Sequence, residues 1–399
     1  LEFRRVLFRS AQGKEMLQKS KNNQIRIRKD TAFRGVIMDR NGKLLAQNVP
    51  SMNVYLSVEK YLDKRGYVNT EALEKSTDTL GGIIGDLWQD KLVDQNEQYS
   101  SISEKIYSIY DKDPYFTEIL VARNVDNEMA IKIKASANEL PGVYVDSGSK
   151  REYTRGDAFA HILGYTGNVT AEDLKNLNYV DSTDVVGRTG LEKKYDERLI
   201  GDDGQIAWEV DSMGRMVEDE GYTLKKPVSG KNLRLTVDAD LQEKAYEVLQ
   251  ESVKQYGAVG GAVVIEDVNT GGLLTLTSYP SYNNNLFVGG ISQKSFNEIL
   301  NNPGNPLLDR AIAAQMPPGS TFKPLVAAAG LDAGVITKNT VYVSRRGYTF
   351  TGGAPFQEYH NNSYGRLNLI DAISVSSNIY FCELIRNWNM DALVPYLEK

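Results

Sequence analysis

The sequence predicts a multidomain α+β protein. Three observations carry this. The chain has 399 residues of ordinary globular composition, 41% hydrophobic and 25% charged, a length that exceeds one hydrophobic core. Short apolar runs flank Asn-Gly and Gly-Gly turns, as in β-hairpins. Between them lie stretches with apolar residues at three-to-four spacing, as in amphipathic helices.

Taken in order, the first ten residues, LEFRRVLFRS, match neither a signal peptide nor a helix start and read as a cloning or sequencing scar. The basic run Arg26–Lys29 reads as a solvated face or membrane-proximal segment. Val36-Ile37-Met38, the turn signal Asp39-Arg40-Asn41-Gly42 and Leu44-Leu45-Ala46 together predict a hairpin. From Asn69 to Leu140 the pattern is helical, with Leu73, Leu80, Ile83, Ile84 and Leu87 in phase; exposed helices around a modest core are expected. Between Arg151 and Val217 frequent glycines punctuate short β-like pieces. KKPVSGKN, residues 225–232, reads as a linker, and Leu233–Val237 alternates as a strand. Asp240 with Glu243 three residues on suggests a capping box. The helix it would start turns Leu241, Ala245, Val248, Leu249 and Val253 to one face. Two β-rich runs then flank Asn269–Gly272, a second hairpin. The C-terminal half is thus expected to be an antiparallel sheet flanked by helices.

Composition excludes several functions. The net charge of −6 argues against nucleic-acid binding. Cys382 is the only cysteine, so neither an intrachain disulfide nor a cysteine zinc site can form. The only histidines are His161, in an apolar stretch that suits a hydrogen-bonded structural role, and His360, in the polar loop EYHNNSYG. A covalent mechanism here would not rest on a histidine base. No apolar run approaches the roughly 18 residues of a membrane span.

The chemistry concentrates in Met316-Pro317-Pro318-Gly319-Ser320-Thr321-Phe322-Lys323. The prolines and glycine stop what precedes them, and Leu325–Ala329 reads as a buried helix. Ser320 then falls at the helix start with Lys323 one turn on, on the same face. A serine hydroxyl needs a base, and a lysine serves as one only when burial or nearby positive charge lowers its pKa. The helix N-terminus offers unpaired N–H groups to a developing oxyanion. Alone the S-x-x-K spacing is weak, since Ser57–Lys60 and Ser147–Lys150 share it. A second element, Ser376-Ser377-Asn378, can set a hydroxyl beside the lysine and an amide beside a substrate backbone. It too has look-alikes, Ser51–Asn53 and Ser281–Asn283, and a serine pair there could simply cap a helix. The order of the two elements, S-x-x-K and then S-x-N about fifty residues later, is what distinguishes them.

PPGSTFKP and SVSSNIYF resemble the first two active-site motifs of penicillin-binding transpeptidases. RGVIMDRNGKLLAQN, HILGYTG, GRTGLEKKYDERLIGDDG, LRLTVDADLQEKA and AVVIEDVNTGGLLTLTSYPSYN resemble successive segments of the class B penicillin-binding proteins, in family order. The resemblance implies an N-terminal segment (1–30), an elongated non-catalytic pedestal of the dimerisation type (31–226) and a transpeptidase domain (227–399). It implies that Ser320 attacks the D-Ala-D-Ala carbonyl of a stem peptide, with Lys323 as base, Ser376 as proton relay and Asn378 orienting the substrate amide. Ser377 and Thr321 would contact substrate. Implied partners are peptidoglycan stem peptides, lipid-linked precursor strands, β-lactams and a membrane glycosyltransferase. No metal, organic cofactor or nucleic acid is implied. The expected location is the outer face of the cytoplasmic membrane, held by an N-terminal anchor.

Two family features do not appear. There is no membrane helix at the start, and no K-[ST]-G triplet follows Ser376, so both ends read as cut and the transpeptidase domain as incomplete. The 399-residue chain is therefore expected to be inactive or nearly so. Two rival readings share parts of the pattern: a β-lactamase or D,D-carboxypeptidase with the same serine chemistry, and a catalytically silent scaffold or β-lactam sensor. The long N-terminal half speaks against the first and the Ser320–Lys323 spacing against the second.

Overall fold

The computed structural model describes residues 25–63, 67–85, 99–112, 118–181, 183–209, 221–349 and 355–398. The suspected N-terminal scar lies outside the described residues. The chain divides into two compact units, the first ending at Ala314 and the second running from Gln315 to Lys399. Helices and mainly antiparallel sheets make up both, an α+β architecture.

The first unit opens with β1 (Ile25–Asp30), so the basic run lies on a strand. The expected hairpin follows: β2 (Ile37–Met38) pairs antiparallel with β3 (Leu44–Ser57). Its turn is held by Asp39, whose Oδ1 accepts the N–H groups of Asn41 at 2.7 Å and Lys43 at 2.8 Å. Gly42 supplies the positive φ of 87°. The stretch expected to be helical contains α1 (Thr70–Ile84), α2 (Ile102–Lys112) and α3 (Asn127–Ala135), but it is interrupted by a strand, β4 (Glu118–Val125), on β3. Ile119–Ala122 is a short apolar run whose periodicity does not separate strand from buried helix; pairing with β3 decides it. Nor is this core modest. Leu56, Leu73, Leu80, Ile84, Ile106 and Ile119 are each at most 1% exposed and belong to one cluster. The strand β5 (Val143–Tyr153) pairs with β3 along its length.

A glycine-punctuated region follows, with the small hairpin β6 (Thr166–Asn168) and β7 (Val185–Gly187), the short helix α4 (Gly190–Lys194), then β8 (Gly204–Glu209) and β9 (Tyr222–Lys225). β8 lies between β1 and β9. Lys29 at the end of β1 is ion-paired with Asp181, Asp184 and Asp203. Inside this region Glu192 is fully buried and takes Arg34 Nε and Arg151 Nε at 2.7 Å each, while Arg34 also reaches Asp196 at 2.7 Å.

Residues 225–232, the expected linker, are held by backbone hydrogen bonds. Asp202 and Val228 exchange backbone hydrogen bonds, Gly230 N donates to Phe33 O, and Lys231 N donates to Arg198 O. Contact is so close that a Cβ on Gly35 would sit 2.1 Å from Lys231 O, and one on Gly230 1.8 Å from Leu199 O. The strand expected over Leu233–Val237 is only β10 (Leu233–Arg234), which runs parallel to β2. The next helix, α5 (Ala239–Gln255), is capped by Asp238 rather than Asp240: the Asp238 side chain accepts Leu241 N at 3.1 Å. Glu243, read as the capping-box partner, pairs with Arg155 instead. Of the face assigned to α5, Leu249 and Val253 are buried, whereas Leu241 and Val248 are exposed. The second hairpin forms as expected, β11 (Gly261–Glu266) with β12 (Leu273–Tyr279). His161 has the structural surroundings its context suggested, with Nε2 2.8 Å from Pro306 O and its ring edge-on to Tyr282.

The second unit begins with a 3-10 turn, Gly319–Phe322, leading into α6 (Lys323–Asp332). Two small hairpin pairs follow, β13 (Tyr342–Ser344) with β16 (Gly365–Leu367), and β14 (Tyr348–Thr349) with β15 (Pro355–Phe356). Then come α7 (Leu369–Ser374), α8 (Asn378–Trp388) and α9 (Met390–Leu397). Val326, Ala327 and Ala329 of α6 pack with Leu367, Tyr380 and Leu384. The α6 helix is buried on one face only, since Leu325 is 57% exposed.

Candidate active site

Ser320 stands in the 3-10 turn and Lys323 is the first residue of α6, so the local fold puts the lysine one turn beyond the serine. Pro324 falls in the first helical turn, where no intrahelical N–H is lost. Gly319 enters the turn with φ of 59°. The Ser320 side chain is exposed, and no hydrogen bond joins it to Lys323 among the described residues.

The lysine amine is held by the second motif. Nζ donates to Ser376 O at 2.6 Å, Ser376 Oγ at 3.2 Å and Asn378 Oδ1 at 2.7 Å. Two of these partners are carbonyl oxygens that can only accept, whereas the Ser376 hydroxyl can accept from the ammonium or donate to the neutral amine. The Phe381 ring centroid lies 6.0 Å away. Burial pulls the Lys323 pKa below its ordinary value, against the opposing charge of Glu358. The direction is the one a lysine base requires. The Cys382 thiol is itself pushed up by burial to about 11 and is no nucleophile at neutral pH.

Ser376 is in the left-handed region, φ 55°, a conformation that costs a non-glycine residue about 1–3 kcal/mol unless its surroundings impose it. They do. Ser376 N donates to Ile373 O at the end of α7, and Ser377 N to Ala372 O. Of the residues expected to touch substrate, Ser377 is fully buried. It caps α8 by accepting Tyr380 N at 3.1 Å and donates its hydroxyl to Glu358. Thr321 is exposed, but its hydroxyl closes the 3-10 turn on Pro318 O at 2.6 Å. The structure therefore brings Lys323, Ser376 and Asn378 together, sets Ser320 one turn away, and commits the Ser377 and Thr321 hydroxyls to the backbone and Glu358.

Sequence reasoning missed Glu358. It is 3% exposed and accepts Ser344 Oγ at 2.8 Å, Ser377 Oγ, Asn378 N at 2.6 Å and Ile379 N at 3.3 Å. The Asn378 amide in turn donates to Gln357 O at 2.7 Å. A single glutamate in a polar loop twenty residues upstream carries no periodic or motif signal, so its burial was not legible. The look-alike motifs sit elsewhere: Ser51–Asn53 within β3, Ser147–Lys150 within β5, and Ser281 with its hydroxyl on Asp157 O. Ser57 heads a 3-10 turn containing Lys60, but no S-x-N triplet is bonded to Lys60 among the described residues. One carboxylate cluster there could hold a cation, Asp181, Asp184 and Asp203, and the Lys29 amine already occupies its centre.

Comparison with known proteins identifies two domains. The Penicillin-binding Protein dimerisation domain matches residues 29–235, and the Penicillin binding protein transpeptidase domain matches residues 261–399. The chain is 30% identical over 388 residues to "Peptidoglycan D,D-transpeptidase MrdA" of Haemophilus influenzae, covering 95% of this chain and 55% of that protein. It is also 30% identical over 372 residues to "Peptidoglycan D,D-transpeptidase FtsI" of Escherichia coli, covering 93% and 54%. The chain thus spans little more than half the length of these relatives. Among solved structures, the complex between Penicillin-Binding Protein (PBP2) and MreC from Helicobacter pylori superposes with a TM-score of 0.73 at 26% identity, covering 94% of this chain and 65% of that one.

Proposed function

Because this chain belongs to the penicillin-binding protein family, with a dimerisation domain followed by a transpeptidase domain, we propose that it serves a peptidoglycan D,D-transpeptidase whose nucleophile is Ser320. One observation carries the reading: the Lys323 amine, one turn from Ser320, is gathered by Ser376 and Asn378 into a single cluster. In acylation the neutral Lys323 amine takes the Ser320 proton as Oγ attacks the carbonyl carbon of the penultimate D-Ala. The C–N bond to the terminal D-Ala breaks, and Ser376 passes a proton to the departing amine. An amine from a neighbouring stem peptide then attacks the ester and frees Ser320. Asn378 orients the substrate amide. β-Lactams acylate the same oxygen.

The substrates in this reading are stem peptides on lipid-linked or polymerised strands, which places the work on the outer face of the cytoplasmic membrane. There an N-terminal anchor, a membrane glycosyltransferase and a MreC-type protein are the proposed associates. Among the described residues no helix is long and apolar enough to cross a membrane. The domain division proposed is a pedestal over 31–226 and a transpeptidase domain from 227 onward. The test is covalent labelling of the whole gene product carrying this chain with a fluorescent penicillin. Labelling is expected in the wild type and absent in Ser320→Ala; label that survives the substitution refutes the assignment.

A further inference from the structure

We propose that Glu358 is the positioning residue of this site, a buried carboxylate that fixes the Ser376–Asn378 turn against the Lys323 amine. The inference rests on the transpeptidase reading above and assigns a residue that neither active-site motif contains. Each hydrogen bond of Glu358 bears on the turn or on its support. Oε1 takes the Ser377 hydroxyl, the Ser344 hydroxyl and Ile379 N–H, and Oε2 takes Asn378 N–H. The carboxylate therefore sits at the N-terminus of the eleven-residue helix α8, where unpaired N–H groups and the helix dipole favour an anion. Residues 377–379 are anchored from below. The neighbouring Gln357 carbonyl holds the Asn378 amide nitrogen, which turns Asn378 Oδ1 toward Lys323. With Ser377 pinned and α7 ending at Ser374, Ser376 is left as the hinge. It takes the left-handed φ that aims both its carbonyl and its hydroxyl at the amine.

Glu358 also acts through its charge. The titratable groups facing Lys323 are Glu358, from the segment ahead of the Tyr359–Asn361 turn, and Cys382, from α8. With the thiol neutral, Glu358 is the anion that favours the protonated amine against the pull of burial. One residue thus sets where the amine lies and how readily it gives up its proton. No cation meets the Glu358 carboxylate within ion-pair distance among the described residues. Its field on Lys323 is accordingly not cancelled locally.

The experiment is the rate of acylation by a fluorescent penicillin, followed across pH on the whole gene product carrying this chain. Glu358→Gln is expected to slow acylation about 100-fold, the scale of a displaced reacting group. Its acid limb should move to lower pH, because loss of the anion lets the amine deprotonate sooner. Glu358→Asp keeps the charge and shortens the reach, so it should be slower with the wild-type limb. Ser377→Ala, which cuts one link without touching charge, should be several-fold slower, also with the wild-type limb. If Glu358→Gln does not fold, the aspartate and alanine variants decide. A wild-type rate in both overturns the proposal, as does a folded Glu358→Gln with an unshifted limb. Ser320→Ala run alongside keeps the two readings apart: label surviving there refutes the nucleophile, whereas label lost there with wild-type behaviour at Glu358→Gln refutes only the positioning role.

Discussion

Glu192 in the first unit and Glu358 in the second are 0% and 3% exposed, yet their charges are met in different ways. Glu192 is bracketed by Arg34 and Arg151, with Asp196 completing a set of two cations and two anions. Glu358 is met by two hydroxyls and two backbone N–H groups. The first arrangement cancels charge and cross-links Arg34 to a residue 158 positions away. The second satisfies hydrogen bonds while leaving a net charge with a field to exert. A neutralised cluster suits a scaffold, and an uncancelled carboxylate suits the positioning and charge role proposed for Glu358.

The largest effect should come from Glu192→Gln. It strands two buried guanidinium groups opposite a single Asp196, and breaking a buried pair in this way costs about 3–5 kcal/mol. Chemical denaturation would show it, and a loss under 1 kcal/mol would remove the scaffold half of the comparison. Glu358→Gln should be milder in stability, about 1–3 kcal/mol, because the amide still accepts some of the same donors; a larger loss than at Glu192 would reverse the contrast. Asp39 sharpens it further as an anion held by neutral donors in the first unit. Burial disfavours its charge, but the N–H groups of Ala239, Lys43 and Asn41 outweigh that and hold its pKa below the ordinary value. A depressed carboxylate contributes stability that is present above the unfolded pKa, about 3.9, and lost as pH falls through the folded one. Asp39→Asn should therefore flatten the acid limb of unfolding; an unchanged limb would deny the shift. Smallest is Asn69→Ala, which removes the cap on Ala72 N at about 1 kcal/mol by thermal unfolding. It sets the scale for a neutral donor near water.

Local chemistry was legible in the sequence. The Asp39–Gly42 and Asn269–Gly272 turns carry their own backbone instructions, and Pro317-Pro318-Gly319 marks where the helix bearing Lys323 begins. Elements decided by distant partners were not. β4 reads as helix until β3 is beside it, and the α5 cap lies at Asp238 because sequence alone does not phase two nearby aspartates. The Glu192 network joins Arg34 and Arg151 across long separations that no spacing rule spans. Of the candidate site, Ser320, Lys323, Ser376 and Asn378 are the residues that the order of the two elements along the chain singles out. Glu358 did not, since what distinguishes it is the burial of a polar loop against the start of α8. Ser377 shows the converse: its motif position suggested substrate contact, and its surroundings make it a cap.

The two-residue parallel pairing of β10 with β2, with the backbone bonds of Gly35, Gly230 and Lys231 beside it, means that the polypeptide returns near residue 233 to where it departed near residue 37. Whatever lies between is a closed excursion. The helix and hairpin that follow are fastened to that excursion, through Ala239 N on Asp39 Oδ2 and the Gln242 amide on Ala158 O, so its two ends and its interior together fix where they start.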